Sequence, residues 1–466
     1  MSMKSLFSAK DMTLGSPWKR ILEFSVPMLL GNIAQQLYNT ADSVIVGMYV
    51  GDNALAAVGS ASPILNLLLA LFVGISTGAG IVVSQNFGAR DREGLSKGIG
   101  NCLSLTMIAS VFIMVVGPMI TMPMLRLLDT PASIIDWCAN YLNIFFIGCG
   151  GFFFYNMLSG ILRGMGDSMS ALGFLLLAAA LNVVLDLLFV AGFGMGVPGV
   201  SLATVIAQFI SAIFCFIKLM KMGEYFDLNR SAVKLDKAVA MRIIRIGIPS
   251  GITQAIMSMS MMVVQSLTNS MGEMVIAANV IIMRVDGFAM MPNFSFGQAM
   301  SVYAGQNVGA GKFDRVQKGV RQGSLIAQSV SITLVVAILI LGRFLFGIFT
   351  ETVALIDLAE QMMRIMALGY IAVSITQVLG GVMRGCGNTV TPMWISIIST
   401  VALRIPIAYT IAYFTRSAEF PHGHPFALSI SLLVSWVMGM VMSVVAFRFG
   451  KTRKLIREEM KRQGVL

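Results

Sequence analysis

Charged residues are scarce in this sequence. Asp, Glu, Lys and Arg make up 12% of its 466 residues, about half of the roughly 25% that covers a soluble domain. A soluble chain of this length would fold as two or three domains, and so little charge cannot cover them. That excludes a soluble enzyme, a disordered chain and a secreted disulfide scaffold. Histidine occurs twice and cysteine five times. Cys102, Cys138, Cys149, Cys215 and Cys386 are scattered, odd in number and mostly within apolar runs. They read as small buried hydrophobes, without the spacing of a metal site or a disulfide framework. Alternation of period 2 is absent, which argues against a β-barrel. No phosphate-binding Walker motif occurs, so this chain is not expected to hydrolyse ATP. The first twenty residues hold Lys4, Lys10, Lys19 and Arg20 with no short apolar core, so no cleaved leader is expected.

What the chain has is apolar length. Apolar residues make up 56% of it, and the mean hydropathy is +0.82. A transmembrane helix needs about 20 mostly apolar residues. Twelve such runs occur, near 21–46, 55–84, 99–125, 136–162, 169–193, 198–219, 243–270, 274–304, 322–349, 361–383, 390–414 and 426–447. The expected fold class is an all-α integral membrane protein of twelve transmembrane helices, with the lipid bilayer as its surroundings.

A net charge of +11 would suggest a nucleic-acid partner in a soluble protein. Here it tests topology instead, because cytoplasmic loops collect Lys and Arg. With the N-terminus inside, 27 of the 33 basic residues fall in the termini and the loops after even-numbered spans. Only Arg126, Arg343, Arg364 and Arg416 fall outside, and Arg284 and Arg404 lie within spans. The count supports cytoplasmic termini, and no nucleic-acid partner is needed to explain the charge.

Two motifs recur 221 residues apart. Gln85-Asn86-Phe87-Gly88-Ala89 returns as Gln306-Asn307-Val308-Gly309-Ala310, and Arg163-Gly164-Met165-Gly166-Asp167 returns as Arg384-Gly385-Cys386-Gly387-Asn388. Lys97, Gly98, Gly51 and Ala56 find Lys318, Gly319, Gly272 and Ala277 at the same offset, and Pro27 finds Pro249 at 222. The offset spans six helices, so two six-helix halves enter the membrane with the same orientation. The expected division is 1–219, a charged linker at 220–240, and 241–466. Parallel repeats of this kind are a transporter architecture.

Ionisable groups within hydrocarbon are costly and mark functional candidates. Asp42 lies late in span 1, with Tyr38 and Gln35 four and seven residues before it on the same face. Asn182 and Asp186 share a face of span 5, and Thr204 enters span 6 near the level of Asp186. Two carboxylates, an amide and a hydroxyl suit a hard cation such as Na⁺. They also suit a proton, because two adjacent carboxylates cannot both ionise cheaply. The second half has Val263 or Val264, Leu403 and Ile407 at the repeat positions of Asp42, Asn182 and Asp186, so the set is expected in the first half alone. Asp286 follows Arg284 by two residues and does not face it. Arg404 precedes Pro406 and is read as the partner of a carbonyl that the proline frees. Pro27, fifteen residues before Asp42, can act as a hinge or a static kink. Most of the 36 methionines, including Met257, Met259, Met261 and Met262, read as lipid-facing filler. Gly194–Gly199 fits a dinucleotide pattern but lacks the preceding strand, so it reads as a turn. His422 and His424 lack a third ligand, and Gly74 with Gly78 reads as a close helix contact.

Pro27 with Asp42, the paired Gln-Asn-x-Gly-Ala and Arg-Gly-x-Gly motifs, and Asn182, Asp186 and Thr204 together resemble the multidrug and toxic compound extrusion (MATE) transporters over essentially the whole chain. The resemblance implies two pseudo-symmetric bundles forming a V-shaped cleft. It implies an antiporter in a bacterial plasma membrane that exports cationic amphipathic compounds in exchange for H⁺ or Na⁺. It implies a coupling site at Asp42, Asn182, Asp186 and Thr204 with Tyr141, and drug contacts at Gln35, Tyr38, Asn156, Asp42 and Asp186. A monomer without a resident cofactor is the matching expectation. Spans 7 and 10 lack the carboxylates of NorM-like members, which favours the DinF-like branch. The rival reading is a lipid-linked oligosaccharide flippase of the same superfamily architecture. Such a flippase would need an arginine-lined path for pyrophosphate, and only Arg284 and Arg404 are available.

Overall fold

The computed structural model describes residues 7–418 and 420–463; Lys4 and the Arg230 side chain, counted above among the basic residues, lie outside that description. Among the described residues the regular structure is all helix, without a strand. The apolar runs become α1 Pro17–Tyr49, α2 Asp52–Ala89, α3 Arg92–Leu127, α4 Ile135–Ile147 with Cys149–Gly164, α5 Ser168–Gly192, α6 Gly196–Met220, α7 Lys237–Ser270, α8 Glu273–Gly309, α9 Phe313–Gly347, α10 Val353–Ala367 with Gly369–Gly385, α11 Val390–Phe414 and α12 Phe426–Phe449. An amphipathic helix, α13 Lys451–Arg462, follows. Helix is the necessary form, because hydrocarbon offers no partner to a bare backbone group. Among the described residues nine helices, or eleven with each bent pair taken as one span, are long and apolar enough to cross a membrane; α1 is not among them, since Gln35, Gln36, Asn39 and Asp42 interrupt its apolar residues.

The repeat seen in the sequence is a repeat of backbone. Helices α4 and α10 are both broken, with bends of 54° and 41°. Gly51 and Gly272 enter α2 and α8 with φ of 101° and 100°, and Gly166 and Gly387 turn with 86° and 85°. After these turns the Asp167 carboxylate accepts the Ser170 N–H at 2.9 Å, and the Asn388 side chain accepts the Thr391 N–H at 3.3 Å. Asp and Asn are helix-capping residues, so the exchange of one for the other keeps the same joint.

The chain forms two compact units, and their division does not follow chain order. One comprises Leu30–Gly251 with the N-terminal segment up to Asp11; the other comprises Met12–Leu29 with Ile252–Leu466. The division cuts α1 and α7 two residues beyond Pro27 and Pro249, the paired prolines of the repeat. The segment between α6 and α7 packs on the first unit. Arg92 donates to both carboxylate oxygens of Asp227 at 2.7 and 2.8 Å and to the Glu224 and Gly223 carbonyls at 2.6 and 2.8 Å. Its hydrogen bonds hold the Asp227 carboxyl below the usual carboxylate range. Asn101 accepts the Asp236 N–H at 2.8 Å.

Within each unit the basic turns gather at one end. In the first, Lys218 donates to the Phe7 carbonyl at 2.6 Å and lies 3.7 Å from Asp167, while Arg90 pairs with Asp11 at 3.4 Å. In the second, Lys312 donates to the Thr13 carbonyl at 2.9 Å, and Gln463 after α13 donates to the Gly311 carbonyl at 2.7 Å.

Gly74 and Gly78 of α2 cross Gly247 and Gly251 of α7 within the first unit. A Cβ on Gly74 would fall 2.3 Å from the Gly251 nitrogen, and one on Gly78 would fall 2.6 Å from the Gly247 nitrogen. Small residues at this spacing let two backbones touch, which is how helices associate without a hydrophobic driving force. Gly78→Ala is expected to destabilise the protein by about 1–3 kcal/mol, the cost of overpacking. Gly59→Ala, whose Cβ meets nothing within 4 Å, should leave stability unchanged. Thermal unfolding of the purified proteins in detergent compares the two; equal melting would contradict this crossing.

Candidate functional site

Four helices of the first unit bring polar side chains together in its apolar interior. Asn182 and Asp186 on α5 are fully buried, Tyr141 of α4 and Thr204 of α6 are nearly so, and Asp42 of α1 is half-buried. Asp186 ends the α-helical part of α5, which widens into a π-helical turn over Leu187–Gly192. Turns of this type recur at functional sites because they re-aim side chains. The Asp42 and Asp186 carboxyls lie within hydrogen-bonding reach of each other. With the Asn182 amide turned to satisfy both of its ends, its nitrogen donates to Asp186 Oδ2 at 3.0 Å and its oxygen faces the Thr204 hydroxyl at 3.3 Å. The Tyr38 hydroxyl meets Thr204, and Tyr141 lies in the electrostatic field of both aspartates. The Tyr141 carbonyl accepts the Ser201 hydroxyl at 2.8 Å, which ties α4 to α6 beside the cluster.

Oδ1 of Asp42 and Oδ1 of Asp186 are both buried without a hydrogen-bond donor. Two such oxygens are expensive while both carboxyls are charged. A proton shared between the carboxyls, or a hard cation bound to their oxygens with the Asn182 and Thr204 oxygens beside them, relieves that cost. No group of three or more His, Cys, Asp and Glu among the described residues could hold a metal ion, so the donor set is one of oxygens with two charges.

The remaining candidates make their hydrogen bonds elsewhere. The Gln35 amide donates along its own helix to Asn39 at 3.3 Å. Asn156 donates to the Phe152 carbonyl of α4 at 2.8 Å, and its own carbonyl accepts the Ser76 hydroxyl at 2.9 Å. Pro27 is buried and belongs to the second unit, fifteen residues before Asp42 in the chain. His424 packs between Phe420 and Phe426, with centroids at 4.6 and 4.3 Å. Gly194 and Gly196, with φ of 66° and 62°, make the turn from α5 to α6.

The second unit carries a polar group that helical periodicity did not reveal. Asp286 of α8 accepts the hydroxyl of Tyr370, on α10, at 2.8 Å. Arg404 donates to no carbonyl freed by Pro406 among the described residues, and its Nε is buried without a partner. α11 instead runs as π-helix over Ile398–Arg404, immediately before the proline.

Asn182 is the amide donor to a buried carboxylate oxygen. Asn182→Leu, of similar size, is expected to cost about 1–3 kcal/mol, because Asp186 Oδ2 then keeps its charge without that hydrogen bond. Thermal unfolding in detergent reads the loss; an unchanged melting temperature would contradict the bond.

The chain is similar to known proteins along most of its length. A family model described as MatE matches residues 27–188 and 249–410, two copies in one chain. The probable multidrug resistance protein YpnP of Bacillus subtilis is 30% identical over 85% of this chain and 89% of its own length. The probable multidrug resistance protein YoeA of the same organism is 29% identical over 90% of this chain and 92% of its own. A crystal structure of a MATE protein in the bent conformation superposes with a TM-score of 0.88 at 24% identity, covering 100% of both chains.

Proposed function

The chain belongs to the MatE family, the multidrug efflux transporters of the membrane, and on that premise we propose that it is a secondary active antiporter. It exports cationic amphipathic compounds in exchange for H⁺ or Na⁺, by alternating access. The observation that carries this reading is the meeting of Asp42 and Asp186 in an apolar interior, each with a buried oxygen lacking a donor. The names of YpnP and YoeA, both probable multidrug resistance proteins, support drugs as the cargo.

Charged Asp42 and Asp186 hold the cationic group of the drug by attraction in a poorly screened site. Tyr38 and Tyr141 supply aromatic faces and hydroxyls beside them. Entry of H⁺, or of Na⁺ onto the oxygens of Asp42, Asp186, Asn182 and Thr204, neutralises the pair and releases the drug. The loaded carrier then returns. Coupling requires the ion and the drug to differ in affinity between states. Pro27 and Pro249, each two residues before the division between units, are the positions at which α1 and α7 can bend. Gln35 and Asn156 serve at most as outer drug contacts, because both amides are engaged along their own helices. The protein acts as a monomer without a resident cofactor and without enzymatic activity. The basic ends of the units face the cytoplasm of a bacterial plasma membrane. α7 carries no carboxylate, and the two of α10, Asp357 and Glu360, are paired with Arg343 and Arg364 at 3.0 and 2.7 Å, which supports coupling through the first unit, as in DinF-like members.

Drug efflux from vesicles under an imposed pH gradient, and separately under a Na⁺ gradient, tests the reading. One gradient should drive export by the wild type. Asp42→Asn should reduce gradient-driven export by about tenfold or more, in the range of allosteric coupling energies, while the protein still inserts. Full export by that variant would contradict the role of the pair.

A further inference from the structure

We propose that Asp286, Tyr370 and Arg404 form a second ligand site, within the second unit, that takes a zwitterionic amphiphile with its cationic group on Asp286 and its anionic group on Arg404. Asp286 lies thirteen residues into α8, about 20 Å from its start, so the site is well inside the helix rather than at its end. Tyr370 has no exposed surface and sits just past the bend of α10. Its carbonyl, at that bend, accepts from the Asn293 amide at 3.5 Å, and Asn293 is held in turn by the Ser331 hydroxyl at 2.8 Å. The tyrosine is therefore positioned from α8 and α9, and its hydroxyl fixes Asp286 Oδ1 at 2.8 Å.

Arg404, on α11, lies within electrostatic range of Asp286. No ion pair within 4.0 Å joins them among the described residues, and Arg404 Nε is buried without a partner. Were the two charges present only to neutralise each other, the direct fork-to-carboxylate pair would be the strong arrangement. Tyr370 instead holds the carboxylate in place, which leaves an acidic and a basic group in the same unit without a direct pair between them. Asp286 and Arg404 are half-buried rather than sealed, so a ligand can reach both. Arg284, exposed two residues from Asp286, points away from it and cannot complete the pair. At the repeat offset the trio corresponds to Leu65, Cys149 and Val183. It is therefore an addition to the second half and not part of the shared helical frame.

Two dyes of nearly the same size test the site: rhodamine B, with a free carboxylate beside its cationic ring system, and rhodamine 6G, in which that carboxylate is an ester. Binding to the purified full chain in lipid nanodiscs is followed by fluorescence polarisation, with no gradient, so the outcome is independent of the antiport reading. Arg404→Gln should weaken rhodamine B by about tenfold, the worth of one charge-assisted hydrogen bond, and leave rhodamine 6G unchanged. Arg404→Lys, which keeps the charge, should restore part of the rhodamine B affinity. Tyr370→Phe frees Asp286 to pair directly with Arg404 and should weaken rhodamine B as well. Thermal unfolding establishes that each variant is folded, and Tyr370→Phe carries the test should Arg404→Gln not fold. Rhodamine B affinity unchanged in Arg404→Gln or in Tyr370→Phe, or an equal loss of both dyes in Arg404→Gln, would overturn the proposal.

Discussion

Hydrocarbon cannot solvate a charge or an unpaired backbone group, and this structure is organised around that limit. It makes every span a helix. It makes α2 and α7 meet through glycines, backbone against backbone, where water would otherwise drive apolar side chains together. It requires the bend of α10 to be stitched, and Asn293 does so at the Tyr370 carbonyl. It also gives the few charges left inside the membrane their weight. Asp42 and Asp186 could each have been paired with a cation, yet they face one another, and each keeps an oxygen without a donor. A site that is uncomfortable when charged is one whose state an arriving ion can change.

The two halves share a frame and differ in content. Turn glycines, caps and broken helices recur at a constant offset, with φ values matched to within a degree at both pairs of turn glycines. The polar interior does not recur. The first half places its carboxylates on α1 and α5; the second has apolar residues at those positions and carries Asp286 and Arg404 elsewhere. Duplication supplied the scaffold, and the chemistry was placed on each copy separately. Cationic and zwitterionic ligands need different receptors, and the two units offer different charges.

Much of this was legible in the sequence because it depends on spacing. Apolar length marked eleven of the spans clearly and the mixed α1 less so, the 221-residue offset marked the repeat, and four-residue intervals put Tyr38 with Asp42 and Asn182 with Asp186. The tight crossing at Gly74 and Gly78 was legible for the same reason, though not its partners Gly247 and Gly251. What was not legible depends on pairing between distant helices. Nothing in the spacing of Asp286 points to Tyr370, which lies 84 residues away, and Arg404 next to Pro406 suggested a carbonyl partner that α11 does not provide. Asn156 and Gln35 are polar residues within helices, but their amides bond along their own helices. The charged stretch between the halves has the composition of a linker. Only its hydrogen bonds to Arg92 and Asn101 reveal it as part of the first unit.

The central claim is that a coupling ion and a cationic drug compete for one pair of carboxylates. Equilibrium binding of tetraphenylphosphonium to the purified protein, across a range of pH and of Na⁺ concentration, measures it directly. Affinity is expected to fall as pH is lowered or as Na⁺ is raised, because either ion neutralises Asp42 and Asp186 and removes the attraction for the drug. An affinity independent of both ions would contradict it.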